Sequence, residues 1–370
     1  MGHINQTIKK SIQRMLNELK IFEALIDPKV TEVMINSNKK IFLKKLGEGY
    51  VCLDFESKDE TLINLLKLLS GLDNKVITSD DPNVSTKLYL EEQKLKLRIE
   101  GLINPVVQHP TINIRKQSEY LLTMDDYLKD RFLTEEVYDF LINAVKAKKN
   151  ILVVGGTDTG KTTFTNALIN VMDGLGERII AIEEIPELQI KSENVNRIQV
   201  IPKIFSSLQA LKYCMRASPE RIVFGEVREG ESAYEFINGL NSGHPGGLTT
   251  IHADDGLGGL KKLETYINQI YGKPLREEIG MVINVIVTVK MQNYKRYLAS
   301  VDVCEGYDYS TKQYKLKNIY IAEQEIGTKD IEKNNVLEYL RKKHNFDTLQ
   351  MSILNTKSLE YLEDLCLKGV

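Results

Sequence analysis

The chain has 370 residues, more than a typical single domain, so two hydrophobic cores are expected. A formal net charge of −2 speaks against a bulk electrostatic grip on nucleic acid, and sequence-specific nucleic-acid binding is not expected. The four cysteines, Cys52, Cys214, Cys304 and Cys366, form no Cys-x-x-Cys pair, which argues against both a zinc site and a disulfide framework and for plain thiols in a reducing compartment.

Taken in order, the chain opens with apolar positions Ile4, Ile8, Ile12, Met15, Leu16 and Leu19 on one helical face, with Lys9, Lys10 and Arg14 mostly off it. A basic amphipathic helix of this kind can lie on anionic lipid, but most pack on their own domain, which is the reading adopted. No apolar run reaches membrane-spanning length and the start lacks a secretory core, so a cytoplasmic protein is expected, with membrane contact at most peripheral. Short β-like runs follow at Glu32 to Ile35, Lys40 to Leu43, Tyr50 to Leu53, Lys94 to Ile99 and Thr111 to Arg115, with a helix at Thr61 to Leu72. Residues 1–117 therefore read as a small α+β domain. Residues 118–138 read as a helical, charged linker, with helix starts at Asp125-Asp126 and Thr134-Glu-Glu136.

The next stretch organises the rest: Ile151-Leu-Val-Val-Gly-Gly-Thr-Asp-Thr-Gly-Lys-Thr-Thr163. An uncharged apolar run, a glycine loop and a helical pattern read as strand, loop and helix. Gly155-x-x-x-x-Gly160-Lys161-Thr162 matches the phosphate-binding loop. Its glycines Gly155, Gly156 and Gly160 let successive amides of the loop, including those of Thr157 and Thr159, converge on phosphate oxygens. Lys161 would bridge the β- and γ-phosphates, Thr162 would ligate Mg²⁺, and Thr163 continues the helix start. Asp158 fits less comfortably: a carboxylate aimed inward would repel phosphates, so it is expected to face solvent.

After the loop, strand-like runs at Arg178 to Glu184, Arg221 to Glu226, Gly247 to His252 and Val282 to Val289 alternate with helices at Ser207 to Ala217, Glu231 to Leu240 and Leu257 to Ile270. Such alternation implies a mostly parallel sheet with ligands at its carboxyl ends. Three clusters sit there. Glu183, Glu184 and Glu187 end one strand, and one of them could orient an attacking water. Glu226 ends a second apolar strand, with Gly225 where many nucleotide-binding proteins carry Asp, and would act on Mg²⁺ through water or on the attacking water itself. His252 closes a third; taken singly, a histidine on an apolar strand is more often a satisfied core residue, while near a γ-phosphate its ring N–H could sense the nucleotide. Residues 139–300 are taken as the nucleotide-binding domain and residues 301–370 as a C-terminal extension without a chemical motif.

In order, Gly-Gly-Thr-x-Thr-Gly-Lys-Thr-Thr, Ile-Glu-Glu-x-Pro-Glu-Leu-Gln, Arg-x-x-Pro-Glu-Arg-Ile-Val-x-Gly-Glu-Val-Arg and Gly-His-Pro-Gly-Gly-x-x-Thr-Ile-His-Ala resemble the traffic ATPases of type II and type IV secretion, and most closely the conjugal-transfer TrbB branch. The resemblance implies an α/β fold with a RecA-like ATPase domain behind a PAS-like N-terminal domain. It also implies a homohexamer that binds ATP and Mg²⁺ and works at the inner membrane with other components of a conjugation machine. It maps an acidic box onto Glu183 and Glu187, a second nucleotide motif onto Glu226 and a histidine box onto His252. Arginines from the first domain or a neighbouring subunit are implied at the nucleotide, which makes Arg98, Arg115, Arg216 and Arg228 candidates. Glu184 stands where the branch usually has Asp and Ser218 where it often has Arg. Of the acids, Glu183 is taken as the water-activating base and Glu226 as the carboxylate on the Mg²⁺ side. An alternative reading is a nucleotide-binding scaffold with little hydrolysis.

Overall fold

The computed structural model describes residues 6–117, 121–201 and 203–322. Ile4, the first three residues of the expected linker, Cys366 and most of the expected C-terminal extension lie outside them.

The first half folds as α1 (Gln6–Glu18), α2 (Phe22–Ile26), β1 (Val30–Ile35), β2 (Lys40–Lys45), β3 (Gly49–Glu56), α3 (Asp59–Leu72), β4 (Asn83–Leu90), β5 (Leu95–Leu102) and β6 (Thr111–Gln117). The strands form one six-stranded sheet, ordered β3-β2-β1-β6-β5-β4, and every neighbouring pair is antiparallel. Residues alternate across it. Val33, Ile41, Leu43, Leu97, Ile99 and Ile114 point into a core closed by Ile12, Leu16 and Leu19 of α1 and Leu62, Leu65 and Leu69 of α3. The amphipathic first helix thus buries its apolar stripe in its own domain. β4 is absent from the expected strands, although Val84, Thr86, Leu88 and Leu90 alternate inward along it.

The other face of this sheet is polar. Register places Lys87, Arg98, Arg115, Glu32, Lys44 and Tyr50 side by side, one from each strand in order from β4 to β3. A row of charges on one face is the expected partner of the apolar row on the other, because successive side chains alternate faces.

The second half comprises α4 (Met124–Lys129), α5 (Glu135–Lys146), β7 (Ile151–Val154), α6 (Lys161–Asp173), β8 (Ile179–Glu183), β9 (Val195–Gln199), α7 (Ser207–Cys214), β10 (Arg221–Phe224), α8 (Gly230–Asn241), β11 (Leu248–Ile251), α9 (Gly256–Tyr271), α10 (Arg276–Val282), β12 (Val285–Gln292), β13 (Lys295–Asp308) and β14 (Gln313–Ile321). Its eight strands run β14-β13-β12-β7-β11-β10-β8-β9. The six from β12 to β9 are parallel, and β13 and β14 add an antiparallel hairpin at one edge. The sheet is therefore mixed. Ile151, Val153, Ile179 and Ala181 pack under α4, α5 and α6, while Leu152, Val154, Ile180 and Ile182 pack under α7, α8 and α9.

Two expected boundaries move. Met124, Tyr127, Leu133 and Val137, assigned to the linker, pack in the same core as Phe164 and Leu168 of α6. Position 300, the expected end of the domain, falls inside β13, whose Val301 is buried in that core. The described part of the expected extension, up to residue 322, belongs to an edge hairpin with one solvated face.

Candidate active site

Gly155 follows β7 because nothing larger fits: a Cβ there would lie 2.3 Å from the Val289 carbonyl oxygen and 2.6 Å from Thr159 Oγ1. Gly160 precedes α6 at φ +93°, in the left-handed region that favours glycine. Between them the loop turns back on itself, with Thr159 Oγ1 donating to the Gly156 carbonyl at 3.0 Å. Thr157 is exposed, while Thr162 and Thr163 are half-buried on the first turn of α6. The free amides of that turn and the positive end of the helix face the loop, an arrangement suited to an anion.

Lys161 is buried, and its ammonium donates to the Gly156 carbonyl at 2.7 Å and lies 3.1 Å from His252 Nδ1. Burial pushes its pKa down to about 8, against the pull of Glu226 and Asp158.

β11 lies between β7 and β10, so the residues that follow β10 and β11 arrive beside the loop. His252 Nε2 stands 3.0 Å from Glu226 Oε1. Burial, reinforced by the neighbouring Lys161 charge, holds the imidazole below its ordinary pKa, so the ring is neutral at pH 7. A neutral ring between an ammonium and a carboxylate accepts at Nδ1 and donates from Nε2. Arg228 extends the chain, donating from Nη2 to Glu226 Oε2 at 2.7 Å and from Nη1 to Glu184 Oε2 at 2.8 Å.

Glu183 is differently employed. Its buried Oε1 accepts the backbone N–H groups of Glu187 at 2.8 Å and Leu188 at 2.7 Å, and burial raises its pKa despite those donors. The geometry engages this oxygen in holding the loop after β8. Glu187 contributes its N–H to that loop, and its carbonyl accepts from Asn166 Nδ2 at 3.0 Å.

The arginine candidates divide. Arg228 and Arg115 reach the site, the latter through Nη2 at 3.2 Å from Asp158 Oδ1. Arg98 stands one strand further along the first sheet and pairs with Glu100 at 3.3 Å. Arg216 is exposed on the turn after α7, ahead of β10 and so at the end of the sheet away from the loop.

Asp158 does not face solvent as expected. It pairs with Lys44 and Arg115 of the first domain, its side chain is only 19 % exposed, and its backbone sits at φ +62°. Arg296 of β13 donates from Nε to the Asp158 carbonyl at 2.9 Å. Neither Lys44 nor Arg296 is marked by any motif. Only folding brings them to the loop.

A cavity of about 430 Å³ opens beside the loop, lined among others by Tyr127, Phe132, Thr163, Arg296, Tyr297 and Tyr320. Aromatic and guanidinium faces of this kind suit a planar ring. For magnesium, the Thr162 hydroxyl and the Glu226 carboxylate are the hard oxygen donors that ion accepts.

A buried parallel strand running through a glycine loop into a helix, with histidine and carboxylate from the neighbouring strands at the loop lysine, defines a phosphate-loop nucleotide-binding protein. More specifically, the chain belongs to the Type II/IV secretion system protein family, whose model matches residues 16–317. It is 31% identical over 296 residues to the conjugal transfer protein TrbB of Rhizobium radiobacter, covering 79% of this chain and 90% of that one. It is 28% identical over 320 residues to the type IV secretion system protein VirB11 of Bartonella quintana, covering 73% and 86%. The fold matches the Legionella pneumophila ATPase DotB with a TM-score of 0.58 at 14% identity, over 97% of this chain and 91% of that one. The resemblance to the TrbB branch is thereby borne out.

Proposed function

We propose that this protein hydrolyses ATP and, as a homohexamer at the inner face of the cytoplasmic membrane, energises a conjugative type IV secretion system in pilus assembly or substrate transfer. Its second domain is read as RecA-like and its first as PAS-like. The machine's inner-membrane components are its expected partners.

The observation that carries the hydrolytic reading is the contact chain from Lys161 through His252 to Glu226. The loop amides and Lys161 would take the β- and γ-phosphates, and the aromatic cavity the base. Magnesium held by Thr162 would neutralise phosphate charge. Glu226 is the carboxylate joined to the loop lysine, so the water-positioning role passes to it from Glu183. His252 holds Glu226 at a fixed distance from Lys161 and orients it. Arg228 steadies its second oxygen, and Arg115 supplies positive charge from the first domain. Arg216 reaches a nucleotide only if a neighbouring subunit receives it.

The test is ATP turnover of the purified full chain, read beside mass in solution. Lys161→Ala should abolish phosphate release, and specific activity should rise with assembly. A hexamer that binds ATP but shows no more phosphate release than the Lys161→Ala variant would reject hydrolysis.

A further inference from the structure

The contact that the motifs do not account for is the one between the phosphate loop and the first domain. Lys44 of β2 and Arg115 of β6 both close on the carboxylate of Asp158, and Glu32 of β1 lies between them, 3.8 Å from each. The Lys44 and Asp158 side chains are only 13 % and 19 % exposed, so solvent screens this pair less than it would a surface pair. Burial alone would raise the Asp158 pKa, but Lys44, Arg115 and Arg296 hold it below the ordinary carboxylate range. The carboxylate is ionised and compensated.

Asp158 is also electrostatically felt by Lys161, three positions along the same loop. Lys44 and Arg115 therefore close on the loop that would wrap the phosphates, three positions before Lys161. An anion arriving there meets the carboxylates of Asp158 and Glu32 and the two cations, Lys44 and Arg115, that they already engage.

We propose that Lys44 is a phosphate-binding residue lent by the first domain, and that Asp158 is an internal competitor that holds it, with Arg115, until the terminal phosphates take its place. The proposal rests on the nucleotide reading above and adds a latch to it. Asp158 stands in for phosphate, joining the two domains through the same cations. When phosphate replaces it, Lys44 and Arg115 exchange one anion for another while Asp158 loses its partners to solvent. Linkage makes the effect reciprocal: whatever factor phosphate takes from the Asp158–Lys44 contact, that contact takes from nucleotide affinity.

The test is a double-mutant cycle on the full chain, using Asp158→Asn and Lys44→Gln. Asn keeps the shape and tolerates a left-handed backbone, so the substitution removes charge with little backbone cost. Binding of AMP-PNP is measured by calorimetry, and thermal unfolding is followed with and without it. Asp158→Asn should bind AMP-PNP about tenfold more tightly, within the usual range of coupling between sites. Lys44→Gln should bind it more weakly, and Asp158→Asn should gain less in that background. The thermal coupling between the two positions should be present without nucleotide and vanish at saturating AMP-PNP. Asp158→Ser serves as the second variant if the Asn variant does not fold. Equal or weaker binding by the Asp158 variants, with a wild type that binds AMP-PNP, would overturn the latch alone. A wild type that binds no AMP-PNP would overturn the latch and the nucleotide reading together.

Discussion

Lys161 and His252, 91 positions apart in the chain, meet with 3.1 Å between Nζ and Nδ1. An ammonium donates only, so Nδ1 accepts, the ring proton sits on Nε2, and that N–H points at Glu226 3.0 Å away. Glu226 is thus held at a fixed distance from the loop lysine. Glu226→Gln is expected to bind ATP but to turn over at least about a hundredfold more slowly, the scale of a lost general base. Steady-state phosphate release beside AMP-PNP binding checks this, and wild-type turnover in the variant would remove Glu226 from the reaction.

Glu183 is expected to behave otherwise. Its Oε1 serves two N–H groups, that of Leu188 buried and that of Glu187 half-buried, a role that a Gln carbonyl oxygen can also fill. Glu183→Gln should keep turnover within about tenfold of wild type, well short of the loss of a general base. Glu183→Ala should cost about 1–3 kcal/mol of stability, because two donors lose their acceptor in the interior. Denaturant unfolding separates the pair, and a hundredfold loss of turnover in a stable Gln variant would restore Glu183 as the base.

The third prediction concerns protons. Burial lowers the Lys161 pKa to about 8 from the ordinary 10.5. Without nucleotide, the unfolded chain then binds more protons than the folded one between those values, so this group's contribution to stability rises with pH across that window. Phosphate beside the ammonium favours its charged form and lifts the pKa again. Binding therefore takes up part of a proton near pH 8, and affinity falls as pH rises further. Calorimetry in two buffers of different ionisation enthalpy measures the uptake directly. Proton release instead would show that the lysine is not where the charge is balanced.

Gly49 permits the domains to meet in one further place. It sits at φ +83°, and a Cβ on it would lie 2.4 Å from the ring of Tyr294, in the turn between β12 and β13. Gly49→Ala should destabilise by about 1–2 kcal/mol from the backbone alone, with the clash against the ring in addition. Truncating the ring with Tyr294→Ala should recover the clash but not the backbone cost. Thermal unfolding of the two single variants and the double variant tests this, and additive losses would place the contact elsewhere.

What could be read beforehand follows a physical division. Phosphate binding by amides demands glycines at fixed spacing, so the loop from Gly155 to Thr162 declares itself, and buried parallel strands such as Ile151–Val154 are apolar throughout. Glu226 and His252 are legible because each ends such a strand. The hairpin strands β13 and β14 are not, since one of their faces is solvated and tyrosines serve both sides. Nor is the partner of Asp158: Lys44 lies 114 positions away, on a strand of another sheet, and nothing local marks it. Glu183 is legible as a strand-end carboxylate, but the two N–H groups its Oε1 accepts are not, because the residue type alone does not announce a loop-holding contact.

One property of the loop bears on how often such a site can be used. The Gly156 carbonyl receives both the Lys161 ammonium and the Thr159 hydroxyl, and the same lysine leans on His252. A departing anion would therefore leave the lysine and hydroxyl donors engaged, because the loop has its own acceptor for them. Arrival and departure then exchange one set of contacts for another. The proposed ATPase, which would release what it has cut many times over, would be served by a grip that closes behind its product.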